Sequence, residues 1–347
     1  MRSIVKQVVG IDVAQDELVV CFGKMYDDWT PELYAGKTFS NKLKGFEQLL
    51  KWVEKLADKS IPVRFVMEAT GVYHESLAYY LDHRQDEVSI ILPNKISNYV
   101  RSLEVKTVTD KTASEAIALF GLERKLSLWV KPKKIFKQLR QLTRERDQLV
   151  KERTVLKNQL HAEQAEAEPY QKSIERIKNR ISMLDCQGKE IIAEINNLII
   201  ENPEVKEKVT LIGSIPGVGL LTTAIVLGET NGFDLIRNKR QLTSYAGLDV
   251  QEKQSGTSVK AKPRISKRGN KHLRKAMHLP ALGAIRHDER FKSTYVRLVS
   301  KHGIKMKAAV AVQRKLLELI YTVYKTQTVY DKNYLINNAI KQVEDNS

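Results

Sequence analysis

Gln7-Val8-Val9-Gly10-Ile11-Asp12 is the stretch whose reading decides the fold. Its β-branched run Val8 to Ile11 reads as a buried strand, and the glycine before the acid allows another backbone or a ligand to approach closely. Arg64-Phe65-Val66-Met67 reads as a second such strand and ends on Glu68. Between them come an alternating segment Leu18 to Phe22, a turn region at Asp27-Asp28, a segment Tyr34 to Phe39, and an amphipathic helix from Lys42 to Leu56. The order is hairpin, third strand, crossover helix, fourth strand. A right-handed crossover lays the fourth strand beside the first and brings Asp12 to Glu68. Val88 to Leu92, stopped by Pro93, supplies a fifth strand. In an open α/β sheet ligands bind outside the carboxyl ends of strands, so two acids there can share a divalent cation. A lone acid at a strand end is more often a cap or a solvated turn residue. The shared topology of two of them, with Asp110 opening a later helix, argues for a metal-dependent phosphoryl-transfer site.

A chain of 347 residues is too long for one typical core and predicts two or three domains. Its net charge of +17 implies a polyanionic partner. No apolar run reaches the roughly 18 residues of a membrane span and no signal peptide precedes the first strand, so the expected location is cytoplasmic and nucleoid-associated. Cys21 and Cys186 stand alone in their segments, which supports neither a zinc site nor a disulfide framework.

From Pro132 to Pro203 the chain changes character. Ile174, Ile177, Ile181, Leu184, Ile191, Ile195 and Leu198 form a heptad-like stripe, and Leu142, Leu149 and Leu156, flanked by Leu139 and Leu160, form another. Pro169 ends the first helix, so the two fold back as an antiparallel coiled-coil hairpin, read as an oligomerisation arm or a plain spacer. Lys133, Lys134, Arg140, Arg144 and Arg146 give the first helix a basic character, a nucleic-acid surface or a solvated face. Past Val209, Ile215-Pro216-Gly217-Val218-Gly219 before a helical stretch Leu220 to Leu227 looks like a helix-hairpin-helix turn, with Gly217 and Gly219 leaving backbone N–H groups for a phosphate. Between Lys253 and Lys275 there are nine Lys and Arg residues and no acid. Lys260, Lys262, Arg264, Ser266, Lys267, Arg268, Lys271 and Arg274 are therefore candidate nucleic-acid contacts. Helical spacing returns at Leu273 to Arg286 and Lys305 to Tyr324, while His272, His278, His287 and His302 lack metal-ligand spacing.

Gly10-Ile11-Asp12-Val13 and Met67-Glu68-Ala69-Thr70-Gly71 resemble the first two acidic motifs of the DEDD-type insertion-sequence transposases, the family numbered one hundred and ten, whose first domain is a RuvC-like branch of the ribonuclease H-like fold. Thr109-Asp110-Lys111-Thr112 matches the third motif, but the family's last Asp is replaced by Ala113. Positions three apart on a helix share a face, whereas Glu115 lies about 200° around from 113 and is a poor substitute. The gap implies a weakened or deliberately inactivated enzyme, and the intact surroundings favour the second. Ile215 to Gly219, Gly247-Leu248, Ser255-Gly256 and Ser266 to Asn270 resemble, in order, the family's C-terminal catalytic domain.

The resemblance implies a mixed α/β and all-α chain: a RuvC-like domain at 1–130, the coiled-coil hairpin at 131–203, a transposase domain at 204–330 and a tail at 331–347. It implies an RNA-guided recombinase that acts on donor and target DNA with a structured guide RNA as a homodimer or tetramer. Asp12, Glu68 and Asp110 would hold Mg²⁺ or Mn²⁺, and Ser255 would attack a DNA phosphate, in a site assembled from separate domains. From the residues alone, Ser255-Gly256-Thr257 is an ordinary turn and Ser266 is the runner-up. Two other readings share the features: a RuvC-like nuclease that uses water, and a catalytically silent nucleic-acid-binding protein.

Overall fold

The computed structural model describes residues 2–69, 71–103, 107, 109–234, 236–251, 254–255, 259–260 and 264–333. Contacts divide the chain into two units, Met1–Lys131 and Pro132–Ser347.

The first unit is a five-stranded sheet. Strands β1 (Ile4–Val13), β2 (Glu17–Tyr26) and β3 (Pro31–Ser40) form an antiparallel meander, α1 (Leu43–Leu56) crosses over, and β4 (Val63–Glu68) returns parallel to β1. Helix α2 (Glu75–His83) leads to β5 (Glu87–Ile91), parallel to β4, followed by α3 (Pro93–Ser102) and α4 (Asp110–Glu123). The spatial order β3-β2-β1-β4-β5 puts β4 beside β1 as expected and adds β5 beyond β4, and it gives the ribonuclease H-like arrangement. Pro93 both ends the strand segment and occupies the first turn of α3, where its missing N–H costs nothing.

Strand alternation decides what each face buries. Val9, Ile11 and Val13 with Phe65 and Met67 pack under α1 and α2, around Phe46, Leu49 and Leu77. Val8 and Val66 face the other way, against Ile96, Ile117 and Leu122 of α3 and α4. Asp12 and Glu68 continue this second set, so both carboxylates belong to the face that α4 covers.

The second unit is helical, with short β elements. Helices α5 (Lys134–Gln164) and α6 (Gln171–Ile200) form the expected hairpin. They run antiparallel: Arg153 pairs with Asp185, while Gln138 and Leu142 border a cleft with Leu198 and Glu201. Ile174, Ile177, Ile191 and Ile195 are buried, but Ile181 and Leu184 are only half-buried. Helices α7 (Pro203–Gly213), α8 (Leu220–Thr230) and α9 (Lys239–Tyr245) follow, then β6 (Val250–Gln251), β7 (Gln254–Ser255), β8 (Val259–Lys260) and β9 (Arg264–Ile265). Helices α10 (Lys271–Ala276), α11 (His278–His287), α12 (Glu289–His302) and α13 (Lys305–Thr326) complete the described chain. Leu139, Ile195, Leu227, Phe233, Leu273 and Leu316 meet in one core, so the hairpin's base and the C-terminal helices share it. Among the described residues no helix is long and apolar enough to cross a membrane.

Candidate active site

Ile11 of β1 pairs with Met67 of β4 in parallel register, so the next residues on the two strands are Asp12 and Glu68, at the carboxyl ends. Helix α4 lies on this face because Gly10 lets it. A Cβ on Gly10 would overlap the backbone of Ala118 and Ser114, and one on Gly121 would press into Val8 and Val66. The contacts give the direction: Gly121 lies over Val8, and Ser114 and Ala118 lie over Gly10. Two strand residues advance about 6.7 Å and four helix residues about 6 Å, so the next step toward Asp12 reaches the first turn of α4, which begins at Asp110. That turn is fixed by a capping box in which Thr109 and Thr112 exchange backbone and side-chain hydrogen bonds. At the other end of the helix, Lys6 of β1 donates to the carbonyls of Gly121, Leu122 and Arg124. The short motif Thr-Asp-Lys-Thr is thus a helix start that points Asp110 toward the strand ends.

Burial pushes the Asp12 carboxyl up from its ordinary value, and the charges of Asp110 and then Glu68 push it further. A cation is what relieves such like-charge crowding. Carboxylate-only donors suit Mg²⁺ or Mn²⁺, which take oxygen ligands and keep several waters. Among the described residues no three His, Cys, Asp or Glu side chains close on one point that would hold an ion. The acids share a field without forming a finished coordination shell. Ala113, half-buried one turn into α4, adds no donor there.

In the second unit, β6 pairs antiparallel with β9 and β7 with β8, two short ladders that make a β arm. Ser255 pairs with Val259 near the far end. The arm's base is locked. Ser266 N donates to Asp249 O, Lys267 N to Gly247 O, and Asn270 N to Tyr245 O. Gly247 has a φ of 65°, and Cβ atoms on Gly247 or Gly269 would overlap the facing loop, which accounts for both glycines. Ser266 Oγ donates to Asp249 Oδ1 at 2.5 Å and accepts from Arg268 N.

The candidate nucleic-acid contacts divide. Arg264, Lys267, Arg268 and Lys271 are exposed. Arg274 is half-buried and donates to Ala246 O at 2.7 Å, so it holds the lock. Lys262 lies outside the described residues, and Lys260 is placed by its pairing in β8. Gly217, with a φ of 85°, turns between α7 and α8, where a side chain would collide with the α11 backbone at Pro280 and Ala284; around Gly219 the space is open. Packing therefore accounts for Gly217, and Gly219 is the more accessible backbone.

One charged cluster has no local sequence signature. Glu229, buried near the end of α8, accepts two hydrogen bonds from Arg144 of α5, at 2.7 and 2.9 Å, and one from Asn270 at 2.6 Å. Burial would raise its carboxyl, but Arg144 and Asn270 outweigh that and hold it below its ordinary value. Tyr245 OH donates to the Glu229 carbonyl. The cluster ties the hairpin helix to the loop that ends the arm. Its one clue in the sequence is that Glu229 is the only acid in the apolar stretch Leu220–Thr230.

A family model described as transposase, of the DEDD type, matches residues 9–164, and a second, the IS116/IS110/IS902 transposase family, matches 209–296. The pilin gene-inverting protein of Moraxella lacunata is 30% identical over 341 residues, covering 94% of this chain and 98% of that protein. This chain belongs to the IS110 family of transposases. A second family relative, the transposase for insertion sequence element IS1111A of Coxiella burnetii, is 24% identical across 93% of this chain and 91% of its own length. Thermus thermophilus RuvC with a Holliday junction covers 35% of this chain and 99% of its own, at 10% identity and a TM-score of 0.28. The fold assignment rests on strand order instead. At family level this is an enzyme of DNA transposition and recombination, with DNA as its substrate.

Proposed function

We propose that this protein is an RNA-guided DNA recombinase in which Ser255 attacks a DNA phosphate and Asp12, Glu68 and Asp110 hold Mg²⁺ or Mn²⁺. The observation that supports the reading is that Asp12 and Glu68 follow a paired Ile11–Met67 step at the carboxyl ends of β1 and β4, with the charge of Asp110 near enough to act on Asp12. Bound there, a divalent cation would supply charge to a phosphate and lower the barrier to its substitution.

The chain's own residues supply the rest. Ser255 lies in β7, paired with β8, and the base of this β arm is pinned by the Gly247–Lys267 lock. When its oxygen attacks phosphorus, a P–O bond forms, the bond to the departing DNA oxygen breaks, and the serine proton passes to a base or solvent. Exposed Lys267 and Arg268 beside the arm can balance the charge that grows on the phosphate oxygens. Ser266 Oγ donates to Asp249 and accepts from the Arg268 amide, a contact that holds the foot of the arm, and the choice of Ser255 as nucleophile comes from the family resemblance.

Kinship to proteins named for inverting a gene supports strand exchange. Inversion rejoins every cut end, and an end held on a serine keeps its bond energy, whereas hydrolysis discards it. Guide-RNA pairing comes from the family resemblance and agrees with the +17 charge. Ala113 leaves the acid set one donor short, so this chain is weakened or inactive, and a silent nucleic-acid binder is the second reading.

The test is trapping. The Ala113→Asp protein, given RNA and a suicide DNA substrate, is expected to yield a denaturant-resistant protein–DNA species that Ser255→Ala abolishes while RNA binding stays near normal. An adduct lost in Ser266→Ala and kept in Ser255→Ala would move the nucleophile. Cleavage that needs neither serine would establish a hydrolytic nuclease.

A further inference from the structure

The corner between α12 and α13 has no part in the proposed chemistry and lies beyond residue 296, where the match to the second family model ends. From Arg290 to Leu317 there are eight Lys and Arg residues and no Asp or Glu. Residues 301 to 307, Lys-His-Gly-Ile-Lys-Met-Lys, are all exposed. Among the described residues Arg297, Lys301, Lys305 and Lys307 have no carboxylate within ion-pair distance, although Lys292 and Arg314 do pair with Glu289 and Glu318.

The charges are also placed against the helix. A helix N-terminus carries partial positive charge and favours acids in its first turn. Helix α13 instead begins Lys305-Met306-Lys307, with no acid in that turn and no side-chain cap on Ile304. Its first N–H groups and two ammonium groups face the same solvent. Lys301 closes the last turn of α12, and Gly303, with a φ of 69°, folds the two ends together. This concentration of positive charge costs helix stability unless an anion covers it. Amid the lysines stand two aliphatic side chains, Ile304 and Met306, 55% and 59% exposed.

We propose that this corner is a second docking site for duplex DNA, in which Lys301, Lys305 and Lys307 grip phosphates of both strands and Ile304 and Met306 enter the minor groove as an apolar wedge. Charge complementarity selects a nucleic acid. The side chains select its form. Unpaired RNA is captured chiefly by stacking on several aromatic rings, and residues 296 to 307 include no Phe, Tyr or Trp and a single imidazole, His302. Lysines around exposed aliphatic residues match the way proteins press into a DNA minor groove and bend the duplex. In a recombinase, such a contact would hold flanking duplex away from the cut strand. The proposal rests on the reading of this chain as a DNA recombinase.

The experiment measures binding by the full chain to a fluorescent duplex DNA and to a hairpin RNA over a range of salt, with donor and acceptor dyes on the DNA ends. Lys301→Gln/Lys305→Gln/Lys307→Gln is expected to lower the slope of log K against log salt on duplex DNA by about 2 to 3, since each phosphate contact adds about 0.9. Ile304→Ser/Met306→Ser is expected to leave that slope alone, weaken DNA binding about tenfold and reduce bending. All five side chains are exposed, so unchanged circular dichroism is expected, with melting equal in the Ile304/Met306 variant and equal or slightly higher in the lysine variant. An unchanged slope in the lysine variant overturns the proposal, as does a loss on hairpin RNA that matches or exceeds the loss on DNA. Wild-type affinity and bending in the Ile304/Met306 variant overturn the wedge. A full lysine effect without any Ser255 adduct would sink the recombinase chemistry and leave this DNA site standing.

Discussion

Burial and the fields of Asp110 and Glu68 raise the Asp12 carboxyl, so the folded protein holds that proton more tightly than the unfolded chain does. The resulting stability is complete below the unfolded value and is lost as pH rises through the folded one. At pH 7 the ionised carboxylate is therefore a burden. Asp12→Asn should raise Tm at pH 7 by about 2 °C, with the gain fading toward pH 3, and millimolar Mg²⁺ should raise the Tm of the parent chain and leave that of the variant unmoved. A lower Tm in Asp12→Asn would mean that the carboxylate is a structural cap. Glu229 has the opposite sign. Its lowered carboxyl contributes stability above the unfolded value, lost as pH falls through the folded one. Glu229→Gln should cost about 2 kcal/mol in urea denaturation at pH 7, because Arg144 loses its charged partner yet regains water on its exposed side, and the difference should shrink on acidification. At position 113 the missing acid is testable directly. Ala113→Asp should increase recombination about 100-fold or more, the scale of restoring one ligand to a metal site, and equal activity would refute the role of that position.

At the scale of elements, the strands were legible because their period is short and their acids stand at strand ends. The crossover rule laid β4 beside β1, and the register Ile11↔Met67 that makes Asp12 and Glu68 neighbours came from the structure. The glycine before Asp12 was legible as a close approach, and the structure names the visitor, the α4 backbone. Helix α12 fully buries only Phe291 and Thr294, yet Phe291, Tyr295 and Leu298 stand at helical spacing on one face, so its period is present in the sequence. What stayed hidden depended on distant partners. The stretch expected as one helix from Leu273 to Arg286 is divided at Met277 into α10 and α11. Glu229 meets Arg144 and Asn270 across 85 and 41 residues, which no local pattern encodes. The close packing of α4 gives a sharp prediction. Gly10→Ala drives a methyl into helix backbone that cannot turn away, and should cost about 2 kcal/mol or more together with loss of metal-dependent Tm shifts. Gly36→Ala, whose Cβ would meet only Val20 O at 3.4 Å on the neighbouring strand, should cost less than 1 kcal/mol. Equal effects in urea denaturation would show that α4 yields, and that Gly10 does not position Asp110.

Over the whole molecule, charge is divided as unevenly as chemistry. Residues 1–131 contain 18 Lys and Arg against 18 Asp and Glu, so the net +17 resides entirely in residues 132–347. The acid site thus sits on a neutral unit, where carboxylates repel DNA unless a cation screens them, and the work of attracting phosphate falls to the serine-bearing unit. This partition predicts which substitutions change salt dependence. Lys267→Ala/Arg268→Ala, at the foot of the arm, should lower the slope of log K against log salt by up to about 1.8 and weaken binding to all duplex sequences alike, since phosphate contacts carry no sequence information. Lys51→Ala/Lys55→Ala, an equal loss of charge on α1 of the neutral unit, should leave the slope within experimental error. A fall in slope for the α1 pair comparable to that for Lys267 and Arg268 would mean that DNA also runs along the first unit's surface, and that net charge is a poor guide to its path on this protein.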